Sequence, residues 1–284
     1  TCSARLPVYA LLIGAFIPDT RYLGGFINLQ GMVLLGLYLL GIVGGICTAM
    51  LLKRTALSGP TPTFMIELPP YRLPNLWSVL IRLAERGRIF LVRAVTVIFS
   101  VAVLIGARVY FPRPAEVAAA HEAERAVLAG LPDRAERDRE IAQLDNRLAS
   151  AYLEQSWLGR AGHFVAPAFA PLGWDWKVSA AVIAGFPARE VVIAVLSTIY
   201  SVGDQGEETD NALRAQLTRA THADGSPVFS LPMVLGLLIF YAFCLQCAAT
   251  IAVIYRETNS VGWPVFAWLY MTGLGYAGAL LAYQ

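Results

Sequence analysis

What most constrains this chain is a set of apolar runs too long and too free of charge to sit in water. Crossing a bilayer takes about 20 mostly apolar residues, because a helix rises about 1.5 Å per residue and the hydrocarbon core is about 30 Å thick. Residues 29–52, 228–255 and 258–284 meet that length without a single Asp, Glu, Lys or Arg. Residues 89–107 meet it with one charge near the start, Arg93, whose long side chain can snorkel to the interface. With 57% hydrophobic and only 15% charged residues over a length of 284, against roughly 25% charged in soluble domains, a water-soluble globule is excluded. A net charge of +2, with no basic cluster interleaved with aromatics, excludes a nucleic-acid binder. The first residue is Thr1, and the absence of any signal-peptide pattern suggests a piece of a longer chain.

Two further segments are irregular. Residues 6–17 are uncharged but short, bounded by Arg5 and Pro18 with Pro7 at their head, which suits a half-helix. Residues 178–203 are long enough to span but are interrupted by Gly185, Phe186, Pro187, Ala188, Arg189 and Glu190. Proline removes a backbone donor, and ionisable groups at membrane depth are costly unless they face a cavity or each other, so this helix is predicted to be discontinuous. Short or Gly/Pro-interrupted segments in both halves of a chain point to a transport site built from broken helices.

The stretches between the runs are polar. Residues 53–88 carry six Lys/Arg against two acids, with a proline-rich segment at 67–74 and an amphipathic one at 77–88, and the positive-inside rule places them in the cytoplasm. Residues 112–154 read as a helical hairpin turned at 130–133, which alternation puts outside. Residues 204–227 return to the cytoplasm by alternation alone, since Arg214 and Arg219 face five acids. Residues 161–174 are too short to span and read as re-entrant or interfacial.

The sulfurs and charges are the candidate chemistry. Cys244 and Cys247 lie well inside the run 228–255, and on a continuous helix they share a face with Thr250. Two readings stand: a thiol pair for a soft or borderline cation such as Fe(II), Cu(I) or Zn(II), or small residues packed between helices. Cys2, just before the segment Arg5–Leu6–Pro7, either completes a three-sulfur site or is an interfacial thiol. Cys47, among Gly44, Gly45, Thr48 and Ala49, reads as packing on a small-residue face. Glu190 either attracts a divalent cation or relays protons, with Arg189 compensating its charge or closing a gate; alternatively the pair is a salt bridge that pins the break. His121, His163 and His222 show no ligand spacing, and no nucleotide-binding or catalytic motif occurs.

Four segments in this order, CSARLPVY at 2–9, ELPPYRLP at 67–74, AREVV at 188–192 and CLQCAAT at 244–250, strongly resemble the membrane half of FeoB, the bacterial ferrous iron transporter family. The resemblance runs over essentially all of the chain. It implies an all-α, polytopic protein of the bacterial inner membrane with discontinuous helices and two Gate regions in inverted orientation. These are a first Gate region and transmembrane helix over 1–58 and a second Gate region over 159–284. Between them it implies a cytoplasmic loop (59–88), a transmembrane helix (89–111) and a helical periplasmic insertion (112–158).

The resemblance further implies Fe(II) as the transported ion, with Cys2, Cys244 and Cys247 matching the Gate cysteines of the iron path. Arg5, Pro7, Pro187, Arg189, Glu190, Gln246 and Thr250 lie on the path or its gate; the family usually shows Lys where Arg189 stands. GTP and Mg enter only through an N-terminal G domain that this sequence lacks. The implied partners are the lipid bilayer, that G domain, a small FeoA-like cytoplasmic protein and a second copy of the chain, but no nucleic acid. Two competing readings are a Gate-type transporter of another divalent metal or a nucleoside, and a redox-sensing membrane scaffold in which Cys244 and Cys247 form a reversible disulfide.

Overall fold

The structure is a computed structural model and describes residues 3–22, 27–55, 75–110, 115–128, 134–186, 189, 191–200, 207–221 and 227–284. Apart from two paired two-residue strands, Arg21–Tyr22 and Ile27–Asn28, its regular structure is helical. A single 3-10 turn, Ser3–Arg5, leads into α1 (Leu6–Phe16), and α2 (Leu29–Arg54) follows the small hairpin. Asn28 starts α2 by accepting from the Gln30 amide at 2.9 Å, and Lys53 and Arg54 end it, placing positive charge at the negative pole of the helix.

Helix α3 (Leu76–Tyr110) is continuous for 35 residues, about 52 Å. The amphipathic stretch at 77–88 and the apolar run at 89–107 are therefore parts of one helix. No proline or glycine pair falls between them to break it. Helices α4 (Ala115–Leu128) and α5 (Arg134–Gln155) pack on each other, and the turn expected at 130–133 lies outside the described residues.

Ser156 opens α6 (Trp157–Phe169) by accepting from Gly159, and a 3-10 turn, Ala170–Leu172, closes it. Asp175 then caps α7 (Trp176–Ala184) through the Val178 amide at 2.9 Å. The helix stops at Gly185, and α8 (Val191–Ile199) resumes it, so the discontinuity expected in 178–203 is present. The acid-rich stretch at 204–227 contains α9 (Glu207–Arg219).

The expected uninterrupted span at 228–255 is two helices. Ser230 caps α10 (Leu231–Phe243). Residues 244–247 are not helical, and α11 (Ala248–Thr258) follows. Asn259, at φ 47°, turns the chain into α12 (Gly262–Tyr283). Among the described residues three stretches are long and apolar enough to cross a membrane: 29–54, 231–258 counted across its break, and 262–283.

Burial inverts the order that length suggests. The short helices α1, α7, α8 and α10 supply most of the core, including Tyr9, Leu12, Val178, Ala180, Val192, Leu237, Phe240 and Tyr241, all at most 3% exposed. In the membrane-crossing windows of α2 and α12 only 6% and 11% of residues are buried. Non-helical backbone at membrane depth survives only where protein covers it, because lipid offers no partner for its polar groups. Broken helices therefore lie inside and the regular ones surround them. Cys47 itself is exposed, while two other residues of its small-residue face touch neighbours: Gly44 lies against the Phe243 ring, and Oγ1 of Thr48 is 3.4 Å from the Tyr270 hydroxyl on α12.

Candidate functional site

The site begins with an accounting problem. A helix end leaves its last carbonyls without intrahelical donors, and inside a membrane no water is at hand to satisfy them. Helix α10 ends at depth. The Cys244 amide returns to the Phe240 carbonyl at 2.8 Å, and Cys244 itself leaves the helix with φ −57° and ψ 133°. The carbonyls of Tyr241, Ala242 and Cys244 are then met by two arginines from elsewhere in the chain. Arg5 donates through Nη1 to Ala242 at 2.5 Å and through Nη2 to Cys244 at 3.5 Å. Arg189 donates through Nη1 to Tyr241 at 3.2 Å and through Nη2 to Cys244 at 2.7 Å. Both side chains are buried, Arg5 at 9% and Arg189 at 4% exposure.

Both arginines have positions dictated by helix ends. Arg5 closes the 3-10 turn and is the N-terminal cap residue of α1, so it sits where the first short helix meets α10. Arg189 lies in the link between α7 and α8. Gln246, inside the non-helical stretch, returns the favour to the other break: its Nε2 donates to the Val182 carbonyl in the last turn of α7 at 3.1 Å. The two breaks are thus stitched to each other by side chains from both. The amide oxygen of Gln246 is buried with no hydrogen-bond partner among the described residues.

The sulfurs separate. Because 244–247 is unwound, Cys244, Cys247 and Thr250 do not share the helical face expected of them. Cys244 is 1% exposed, and its Sγ lies 3.9 Å from Oγ1 of Thr272 on α12. Cys247 is half-buried and stands at the N-terminal cap of α11, while Thr250 is exposed. Both thiols are free. Pro7 is exposed at the start of α1. Cys2, Pro187 and Glu190 lie outside the described residues. Among the described residues no group of three His, Cys, Asp or Glu is placed to hold a metal. Arg5, Arg189, Gln246 and Cys244 are therefore the expected residues that the structure brings together.

Thr272 is the residue the sequence reading missed. Its signal was the spacing Thr272, Gly275, Ala279 on α12, small residues that let α10 come close. A Cβ on Gly275 would sit 3.1 Å from the Phe240 carbonyl oxygen and 3.4 Å from the Cys244 nitrogen. The space left at the centre is small. A cavity of about 10 Å³ lies among the side chains of Val8, Leu11, Val182, Val192 and Tyr241, and no residue of 185–190 or 244–247 lines it. A larger open groove of about 400 Å³ runs past Leu6, Gly14, Gln30 and Arg214, and its lining includes neither break.

The comparisons with known proteins fit this architecture. The Gate family, described as nucleoside recognition, matches residues 76–261, and the family described as ferrous iron transport protein B C terminus matches residues 34–86. The Fe(2+) transporter FeoB of Leptospira interrogans is 34% identical over 284 residues, all of this chain and 37% of that protein. The Fe(2+) transport protein A/Fe(2+) transporter FeoB fusion protein of Porphyromonas gingivalis is 34% identical over all of this chain and 33% of its own length. The Helicobacter pylori Fe(2+) transporter FeoB is 29% identical over all of this chain and 42% of its own. The chain thus spans between a third and somewhat over two fifths of the curated relatives it matches. No solved structure matches it. With its three apolar spans, this makes it a multi-pass protein of the inner membrane. The chain belongs to the Gate family, and its whole length is similar to part of the Fe(2+) transporter FeoB proteins.

Proposed function

We propose that this chain is the membrane permease part of a Fe(II) transporter that carries ferrous iron into the bacterial cytoplasm. The observation that carries the reading is the meeting of two helix breaks at a buried centre beside Cys244, the arrangement from which transporters build ion sites. The relatives named Fe(2+) transporter supply the ion. Cys2, Cys244 and Cys247 line the path and Glu190 adds negative charge. Thiolates hold Zn(II) and Cu more tightly than Fe(II), so selectivity comes from geometry, availability and transit rate.

The remaining parts follow the family. The two Gate regions, over 1–58 and 159–284, oppose each other in orientation. A G domain elsewhere in the complete protein binds GTP and Mg and sets the flux through the cytoplasmic loop at 53–88. The Porphyromonas gingivalis fusion supports a FeoA-like cytoplasmic partner. The nucleoside alternative needs a pocket of roughly 300 Å³ or more, which the cavity of about 10 Å³ among α1, α7, α8 and α10 does not provide.

The test is radiolabelled Fe(II) uptake under reducing conditions, in cells lacking other iron importers, by the complete protein with Cys244→Ser/Cys247→Ser. Loss of at least tenfold in uptake, at equal membrane abundance and GTPase activity, is the expected result. Full uptake returns both sulfurs to packing, and uptake absent from the unmodified protein as well removes iron as the cargo.

A further inference from the structure

We propose that the groove between α1, α2 and α9 seats one anionic phospholipid of the outer leaflet, its phosphate on Arg214 and an acyl chain along α1. At about 400 Å³ the groove falls within the range of ligand sites, roughly 300–1,000 Å³. Its two ends differ in chemistry. Asn28, Gln30 and Arg214 line one end, beside the small hairpin where Asp19 and Arg21 stand exposed, and Leu6, Ala10 and Leu34 line the rest. Leu6, Ala10 and Gly14 form a single i, i+4 row on α1, about 12 Å long, close to half of a hydrocarbon core of about 30 Å. Because α1 is the half-helix whose start meets α10 at depth, this row runs from the middle of the membrane to one interface. A charged head, an apolar stem and the length of one leaflet together describe a phospholipid.

Arg214 supplies the charge complement. Its Nη2 donates to the Ala10 carbonyl at 3.4 Å, its Nε is buried with no partner, and no acid among the described residues pairs with it. A half-buried guanidinium without a counter-ion is costly, and a phosphate meets it with charge-assisted hydrogen bonds in matching geometry. The leaflet follows from α2. That helix is long enough to cross, its last residues Lys53 and Arg54 lead into the cytoplasmic loop, and its first turn lines the groove, so the groove and α9 lie at the outer face. Alternation puts 204–227 in the cytoplasm, but it counts α7 and α8 as one crossing. Nζ of Lys177, at the start of α7, lies 5.1 Å from the centre of the Tyr200 ring, just past the end of α8, so the pair turns back to the face it entered from.

The experiment counts phosphatidylglycerol retained by the purified complete protein in native mass spectrometry. Arg214→Gln is expected to retain one lipid fewer per chain than the unmodified protein. Gly31→Leu is expected to lose the same lipid: a Cβ there meets nothing within 4 Å, so the new side chain enters the groove without a clash. This second variant leaves Arg214 in place and keeps the test open if Arg214→Gln does not fold. Arg21→Gln, which removes an exposed charge at the same face, is expected to retain the full count. Diacylglycerol, which lacks the phosphate, and millimolar inorganic phosphate, which lacks the chains, are expected not to displace the lipid. Equal retention by both groove variants, equal loss in Arg21→Gln, displacement by either competitor, or an unmodified protein that retains no lipid because another segment of the complete chain fills the groove would each overturn the lipid site. In intact cells Thr218→Cys, exposed on α9, is expected to react with a charged, membrane-impermeant maleimide, and protection there would overturn the outer-leaflet placement. None of these readouts depends on the cargo, so their failure is separable from failure of Fe(II) uptake.

Discussion

Gly275 shows how little slack surrounds the centre. With its Cβ position 3.1 Å from the Phe240 oxygen, any side chain there pushes α12 away from the turn that ends in Cys244. Gly275→Val is expected to cost about 1–3 kcal/mol, typical of overpacking, and to lower the thermal unfolding midpoint of the purified protein in detergent. An unchanged midpoint would mean that the α10–α12 contact yields without penalty. At this scale the sequence was readable where a residue's chemistry is unusual. Arg189 at membrane depth and the Gly185/Pro187 interruption both announced a break, and the break is there. The second break carries no such mark. Cys-Leu-Gln-Cys contains neither glycine nor proline, and every residue in it tolerates a helix, so the unwinding at 244–247 comes from tertiary partners: Arg5 and Arg189 take the carbonyls that a continuous helix would use internally.

Helix α9 shows the same limit one level up. Its acids outnumber its bases, which reads as a solvated stretch, yet Leu213 and Leu217 are fully buried and the helix packs against α1. The i, i+4 leucines were the visible clue. Arg214 adds a second attachment: its Nη2 donates to the Ala10 carbonyl at 3.4 Å, and its guanidinium lies against Gly14, where a Cβ would come within 2.8 Å. Leu217→Ala is expected to destabilise this docking by about 2–5 kcal/mol. Hydrogen exchange over 207–219 should then accelerate at least tenfold while α10 stays protected. Equal protection in the variant would show that α9 is held by something other than its leucines. Because α1 carries Arg5 at its start, α9 has a hand on the element that caps α10.

Across the molecule, length and burial run opposite ways, and composition foresaw only the first. Apolar runs located α2 and α12 from sequence, but nothing in those runs distinguishes a lipid-facing helix from a buried one, since both are uniformly apolar. The polar breaks made that distinction, because only buried segments can carry them. Cys47 provides the check. It is exposed on a helix with few fully buried residues, so it should react with a lipid-soluble maleimide and resist a charged, membrane-impermeant one. Labelling by the charged reagent would put that face of α2 in water.

The clasp at Cys244 has a further consequence, in the order of biosynthesis. Arg5 precedes its Ala242 acceptor by 237 residues, and Arg189 precedes Cys244 by 55. A ribosome therefore delivers both guanidinium groups to the membrane before any of the carbonyls they serve exists. Until α10 emerges, these charges have to be sheltered by the insertion machinery or held near the headgroups. The centre of this protein is accordingly assembled last, from pieces made first.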